Sequence, residues 1–233
     1  MSYVVTARTM PRSVTALLGF IAGFVDICAY FGLFGIFVAQ LTGSFVLAGV
    51  RMVSGQQELL TLSAIPMFFF AGTIATALAV VRAPGGRSLA WVLALECVLL
   101  TAMLALMQAA SPLEGRDEGA VVVAALLGIS AMGVQSAAVR LFMKGAPSTN
   151  VMTTNTTQLA IDATVVLLAS CGRGDATQTR QSVERLADYW PPMAGFILGT
   201  ALGALCFKLA GLLVLGVPLA MAYALLAWTM VRR

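Results

Sequence analysis

The chain has 233 residues, 60% of them hydrophobic and 10% charged, with a mean hydropathy of +0.93. A soluble domain carries about 25% charged residues, so this composition excludes a water-soluble protein and indicates a single integral membrane domain over residues 1–233. The net charge of +4 is spread over segment ends rather than gathered into the basic patch that nucleic-acid binding requires.

In chain order, Arg8 and Arg12 precede an apolar run from Val14 to Phe37. It is longer than the roughly 7–15 residues of a signal-peptide core and contains Asp26, so an uncleaved first span is expected. Six stretches are long enough to cross a hydrocarbon core, which takes about 17–25 residues. They are Ser13–Leu33, Leu60–Val81, Ser88–Ala109, Ala120–Leu141, Pro192–Ala210 and Leu212–Val231. Two shorter apolar stretches, Ser44–Val53 and Thr156–Ala169, are nearer to half a membrane in length. The polar connection over residues 171–190 contains Ser182, Val183, Leu186 and Trp190 near helical spacing, which predicts a surface helix on the cytoplasmic face.

The distribution of Lys and Arg decides whether the short pieces cross. If both are re-entrant and the N-terminus is cytoplasmic, 11 basic residues fall inside and only Arg51, Arg116 and Lys208 outside. Full crossing by both short pieces gives 9 inside and 5 outside, a weaker bias. Orientation follows this bias. The expected fold is therefore all-α and polytopic, with six transmembrane helices and two re-entrant, half-length helices. Each half then holds three crossings, so repeat 1 (about 13–110) and repeat 2 (about 119–231) are inverted. Internal similarity agrees: Gly23-Phe24 matches Gly133-Val134, Thr42-Gly43-Ser44 matches Thr153-Thr154-Asn155, and Pro66-Met67 matches Pro192-Met193.

Paired, interrupted hydrophobic segments point to a binding site near the middle of a membrane transporter. Thr42, Gly43, Ser44, Thr153, Thr154 and Asn155 are residue types that cap helices and tolerate irregular backbone. Two helix starts meeting at one polar cavity would present N–H groups and partial positive charge to a polar or anionic solute. Asp26, near the middle of the first span, is expected to be functional because a carboxylate there costs about 2.5–3.5 kcal/mol to insert. Proton coupling is its assigned role. Gln135 occupies a nearly equivalent place in the second half and is expected to face the same solute site. Arg140 either snorkels to the interface or faces substrate; it, Arg51 and Asp162 are candidate gate or anchor residues. Gly19-x-x-x-Gly23, Gly195-x-x-x-Gly199 and Gly199-x-x-x-Gly203 indicate close helix packing, and a homodimer along the last of these is a further expectation.

The absence of histidine and the scatter of Cys28, Cys97, Cys171 and Cys206 leave no metal site, cofactor site or disulfide framework. No paired-carboxylate, Ser/Lys or Cys/His arrangement stands at usable spacing, so an enzyme is not expected.

With these residues on the page, the chain resembles the YoaK-like family of small bacterial membrane proteins, also called DUF1275 or UPF0700. The resemblance rests on Gly19–Asp26, Phe37–Ser44, Met132–Arg140 and Thr153–Asp162. It differs where the family reads Thr-Gly-Asn against Thr42-Gly43-Ser44, and Thr-Gly-x-x-Thr against Thr153-Thr154-Asn155-Thr156-Thr157. The resemblance implies a permease of the bacterial inner membrane, with N- and C-termini cytoplasmic. The expected function is a secondary transporter for a small polar or anionic solute, with protons as coupling partner. The alternatives are a non-transporting assembly factor or sensor, and a channel.

Overall fold

The computed structural model describes residues 10–54, 59–82, 87–113, 115, 118–143 and 145–231. Among these, the regular elements are helices: α1 (Arg12–Gly32), α2 (Leu41–Ser54), α3 (Leu59–Val81), α4 (Ser88–Ala109), α5 (Gly119–Phe142), α6 (Met152–Ser170), α7 (Ala176–Ala210) and α8 (Gly216–Val231). A 3-10 turn, Gly211–Leu215, joins the last two. Five helical stretches are long and apolar enough to cross a membrane, the fifth being Ala176–Val231 taken through α7, the turn and α8. With the composition, they mark a membrane protein.

The two halves share one device. After α1 the chain reverses through Phe34 and Gly35, both at positive φ, and returns into the protein. The N–H groups of Val38 and Ala39 reach Asp26, six residues before the end of α1 and so about 9 Å back along it. After α5 the chain turns at Gly145, again at positive φ, and comes back until Asn150 bonds the Met132 carbonyl and Ser136. The returning segments bury Val38, Ala39, Thr149 and Asn150 in the core, while Phe34 and Phe37 remain exposed. Only then do α2 and α6 begin.

The tightest packing is α1 on α7. Gly19 lies against Pro192, Gly23 against Phe196 and Gly203 against Ile27, so contacts advance together and the two helices run parallel. A Cβ on Gly19 or Gly23 would stand 2.3 Å from a carbonyl oxygen of α7, and one on Gly195 or Gly199 would stand 2.1 or 2.2 Å from a carbonyl oxygen of α1. Small residues let membrane helices approach to backbone contact, where dispersion is the main attraction left in lipid. In this arrangement α1 occupies the Gly199-x-x-x-Gly203 face.

Short connections join α3 to α4 and α4 to α5, which makes α3 and α5 parallel neighbours on either side of α4's direction. Gly133 of α5 meets the backbone of Phe68 and the side chain of Ala71 in α3, while Gly128 admits Val38 and Met103. Gly32 at the end of α1 meets Met107 near the end of α4 and Leu212 beyond α7, so three helix ends lie at one face.

The polar stretch before Pro191 is not a separate surface helix. It is the first part of α7, which continues through Pro191 and Pro192 for 35 residues. Asp175 caps its start by accepting from the Gln178 N–H (2.9 Å), and α6 packs along this part. The two prolines remove N–H partners from carbonyls one turn earlier, in a part of the helix whose residues are half exposed.

Candidate functional site

Asp26 is 3% exposed, and its hydrogen bonds among the described residues come from the segment that returns 12–14 residues later. One carboxylate oxygen accepts both N–H groups of Val38 and Ala39, each at 2.8 Å, and the other accepts from the Gln40 amide at 3.2 Å. Backbone N–H groups just ahead of a helix have no helical partner of their own. A carboxylate supplies charge-assisted acceptors where lipid can supply none. Asp26 thus holds the returning segment that leads into α2.

The corresponding place in the second half holds a neutral network. Gln135, fully buried, donates its amide to the Leu18 carbonyl (3.0 Å) and the Thr149 hydroxyl (2.9 Å). Thr149 donates to Asn150 (3.0 Å), whose amide reaches the Met132 carbonyl (3.2 Å) and Ser136 (2.9 Å). Asn155 donates to the Ser148 carbonyl at 2.6 Å. The amide oxygen of Gln135 is buried without a partner among the described residues.

The hydroxyl runs do not precede the short helices; they lie within their first turns. Val151 stands at the N-cap of α6 with no side-chain cap bond, and the hydroxyls of Thr156 and Thr157 fold back onto the Met152 and Thr153 carbonyls. That backbonding competes with capping. Thr42, Thr153 and Thr154 are exposed, Gly43 and Ser44 half buried. The structure does not bring these two groups together: α2 packs on α3, α6 packs on α7, and the two short helices share no extensive contact. Neither cavity described below is lined by them.

Asp162, buried midway along α6, is bound by Arg185 of α7 through contacts of 2.6, 3.0 and 3.1 Å, and accepts from Gln158 at 2.8 Å. Arg185 also donates to Ser182 at 3.0 Å. Hydrogen bonds from Arg185, first among several influences, hold the Asp162 carboxyl below its ordinary value despite burial. The pair fastens α6 to α7. The side chain of Arg51 lies outside the described residues.

Arg140 is exposed in the last turn of α5 and reaches no carboxylate among the described residues. It stands at an open groove of about 640 Å³ between α3 and α5. A smaller cavity of about 200 Å³ lies where Arg12 of α1 pairs with Asp188 of α7 (2.9 Å), beside Met143 and Pro147.

Glu96 of α4 has no place in the sequence reading, although a carboxylate eight residues into a spanning stretch is itself a signal. It is 1% exposed, and one of its oxygens has no hydrogen-bond partner among the described residues. The Ser130 hydroxyl of α5 is orphaned in the same way. Among the described residues no group of three or more His, Cys, Asp or Glu side chains is placed to hold a metal ion. Cys28 and Cys97 are buried as small hydrophobes, whereas Cys171 is exposed.

No curated protein and no solved structure matches the chain. A family model described as a protein of unknown function, DUF1275, matches residues 14–228. The match covers nearly the whole chain, from the start of α1 to the end of α8, and so the chain belongs to the DUF1275 family.

Proposed function

We propose that the chain is a secondary transporter for a small polar or anionic solute, set in the bacterial cytoplasmic membrane with both termini cytoplasmic. In this proposal it has six crossings (α1, α3, α4, α5, α7 and α8) and two re-entrant, half-length helices (α2 and α6) in two inverted repeats. The carrying observation is the matched pair of reversals, in which a buried polar residue of the preceding helix holds the returning chain. Interrupted helices in corresponding places of two halves are the best sequence pointer to a transporter's working region.

Two further contacts support this plan. Gly32 beside Met107 favours re-entrant short helices, since full crossing by α2 would send α1 and α4 to end at opposite faces. The parallel pairs α1 with α7 and α3 with α5 each join the first helix of one half to a later helix of the other, as a two-fold axis within the membrane requires. The carrier reading rests on these relations.

Proton coupling is assigned to Asp26. Taking up a proton would remove the negative acceptor shared by Val38 and Ala39 and loosen the lead-in to α2. The test is flux in proteoliposomes, with solutes first screened by stabilisation of the purified protein. Saturable uptake with counterflow is expected of a carrier; Asp26→Asn should lose gradient-driven uptake and keep part of the exchange. Normal concentrative uptake by that variant removes Asp26 from coupling, and a screen and flux assay without any responsive solute overturns the carrier reading.

One observation favours the non-transporting alternative. Helix α7 is about 52 Å long at its helical rise, well beyond a hydrocarbon core of about 30 Å. In the non-transporting reading, its first half, braced by α6, would project from the bilayer as a surface for a partner.

A further inference from the structure

The groove between α3 and α5 plays no part in the transport reading, and its chemistry points elsewhere. Its walls are Phe68, Gly72, Thr73, Thr76, Gly133 and Ala137, with Arg140 at one end. The threonines do not make it polar. Thr73 donates to the Phe69 carbonyl (3.0 Å) and Thr76 to the Gly72 carbonyl (2.8 Å), which uses each hydroxyl within its own helix. An apolar space of this kind does not hold water, which needs two to four polar partners. It opens sideways between two helices that are each apolar enough to span a membrane.

The end of the groove is different in kind. From Gly133 to Arg140 is seven residues, or about 10 Å along α5, and Arg140 stands in the last turn, where a spanning helix meets the headgroup region. Arg140 is exposed and has no carboxylate partner among the described residues. A guanidinium matches phosphate oxygens in a bidentate way that an ammonium does not.

We infer that this groove binds one acyl chain of an anionic phospholipid from the surrounding bilayer, with the lipid's phosphate held at Arg140. An apolar channel of a few hundred cubic ångströms ending in an unpaired cation at headgroup depth has the two-part character of such a lipid. A zwitterionic lipid can fill the channel, but its own cation opposes Arg140. The site is independent of whether the chain carries a solute.

The experiment measures retention of phosphatidylglycerol against phosphatidylcholine on the full-length protein by native mass spectrometry, with melting temperature recorded for each lipid. Phosphatidylglycerol should be retained preferentially and raise the melting temperature more. Arg140→Gln should reduce that preference by about fivefold, the effect of one basic residue near a charged leaflet. Gly72→Leu should reduce retention of both lipids by filling the groove, and it threatens the fold little because a Cβ there meets nothing within 4 Å. Equal retention of the two lipids, an unchanged preference in Arg140→Gln, or undiminished binding in Gly72→Leu would each overturn the site. A cross-link showing a second copy of the chain in the groove would overturn it as well.

Discussion

Gly19 and Pro192 touch backbone to backbone: a methyl group on the glycine would lie 2.3 Å from the proline's carbonyl oxygen. The same holds in reverse for Gly195, where the space a Cβ needs is taken by the Ala16 carbonyl at 2.1 Å. No rotamer change relieves a clash with main chain. Gly195→Ala should therefore destabilise at or above the upper end of the overpacking range, about 3 kcal/mol, read as a lowered melting temperature in detergent. Gly49→Ala is the contrast. It lies in α2 with nothing within 4 Å of the added carbon, so helix propensity should stabilise it by about 0.5–1 kcal/mol. A Gly195→Ala protein melting with the wild type would mean that α1 and α7 are not in backbone contact.

The second prediction concerns the lead-in to α2. Asp26→Leu leaves the Val38 and Ala39 N–H groups without an acceptor in an apolar setting, at a cost of about 1–3 kcal/mol for each buried group left unpaired. Asp26→Asn keeps one carbonyl acceptor and should lose less. Hydrogen exchange at Val38 and Ala39 is the sharpest readout, with fast exchange in the leucine variant and partial protection in the asparagine one. Unchanged protection in Asp26→Leu would show that another group holds the segment.

How far the sequence foretold this site depends on the range of the interaction. The five apolar helical stretches were legible because each holds a near-continuous apolar run, and the glycine spacings of α1 and α7 announced close packing on their own. That the glycines of α1 face those of α7, and not a second copy, is a long-range fact that no spacing contains. Asp26 was legible as unusual but not as the acceptor for residues 12 and 13 positions later, since that requires the reversal at Phe34 and Gly35. Residue type alone does not say whether a hydroxyl near a helix start caps or folds back, and those of Thr156 and Thr157 satisfy carbonyls four residues earlier. Pro191 and Pro192 looked like a helix boundary because proline usually is one, but α7 continues where α6 braces it.

The Asp162–Arg185 pair should be measurable as a pH-dependent contribution. Because the folded carboxyl is held below its ordinary value, the stabilisation is fully present above the unfolded value of about 3.9 and fades as pH falls through the lower folded value. Arg185→Ala should lower the melting temperature, by less than the loss of a wholly buried pair would because the arginine is partly exposed. It should also flatten the acid limb of the stability curve. A double-mutant cycle with Asp162→Asn isolates the coupling, and a coupling near zero would mean that α6 is fastened to α7 by packing alone.

Glu96 gives the opposite expectation, a stabilising substitution. Its carboxyl is almost wholly buried in α4, where Leu93, Cys97 and Leu100 are buried too, and one oxygen has no hydrogen-bond partner among the described residues. Leaving a buried polar atom unpaired costs about 1–3 kcal/mol, whereas an apolar side chain of similar shape forfeits nothing there. Methionine has nearly the same length and adapts to irregular gaps. Glu96→Met should therefore raise the melting temperature by an amount corresponding to about 1 kcal/mol or more, and Glu96→Gln, which keeps the polar burden, should not. If the stabilised Glu96→Met protein also loses a measured activity, the carboxyl is retained for function at the expense of stability. If Glu96→Met lowers the melting temperature, the orphaned oxygen has a partner, such as a buried water, whose loss outweighs the apolar gain.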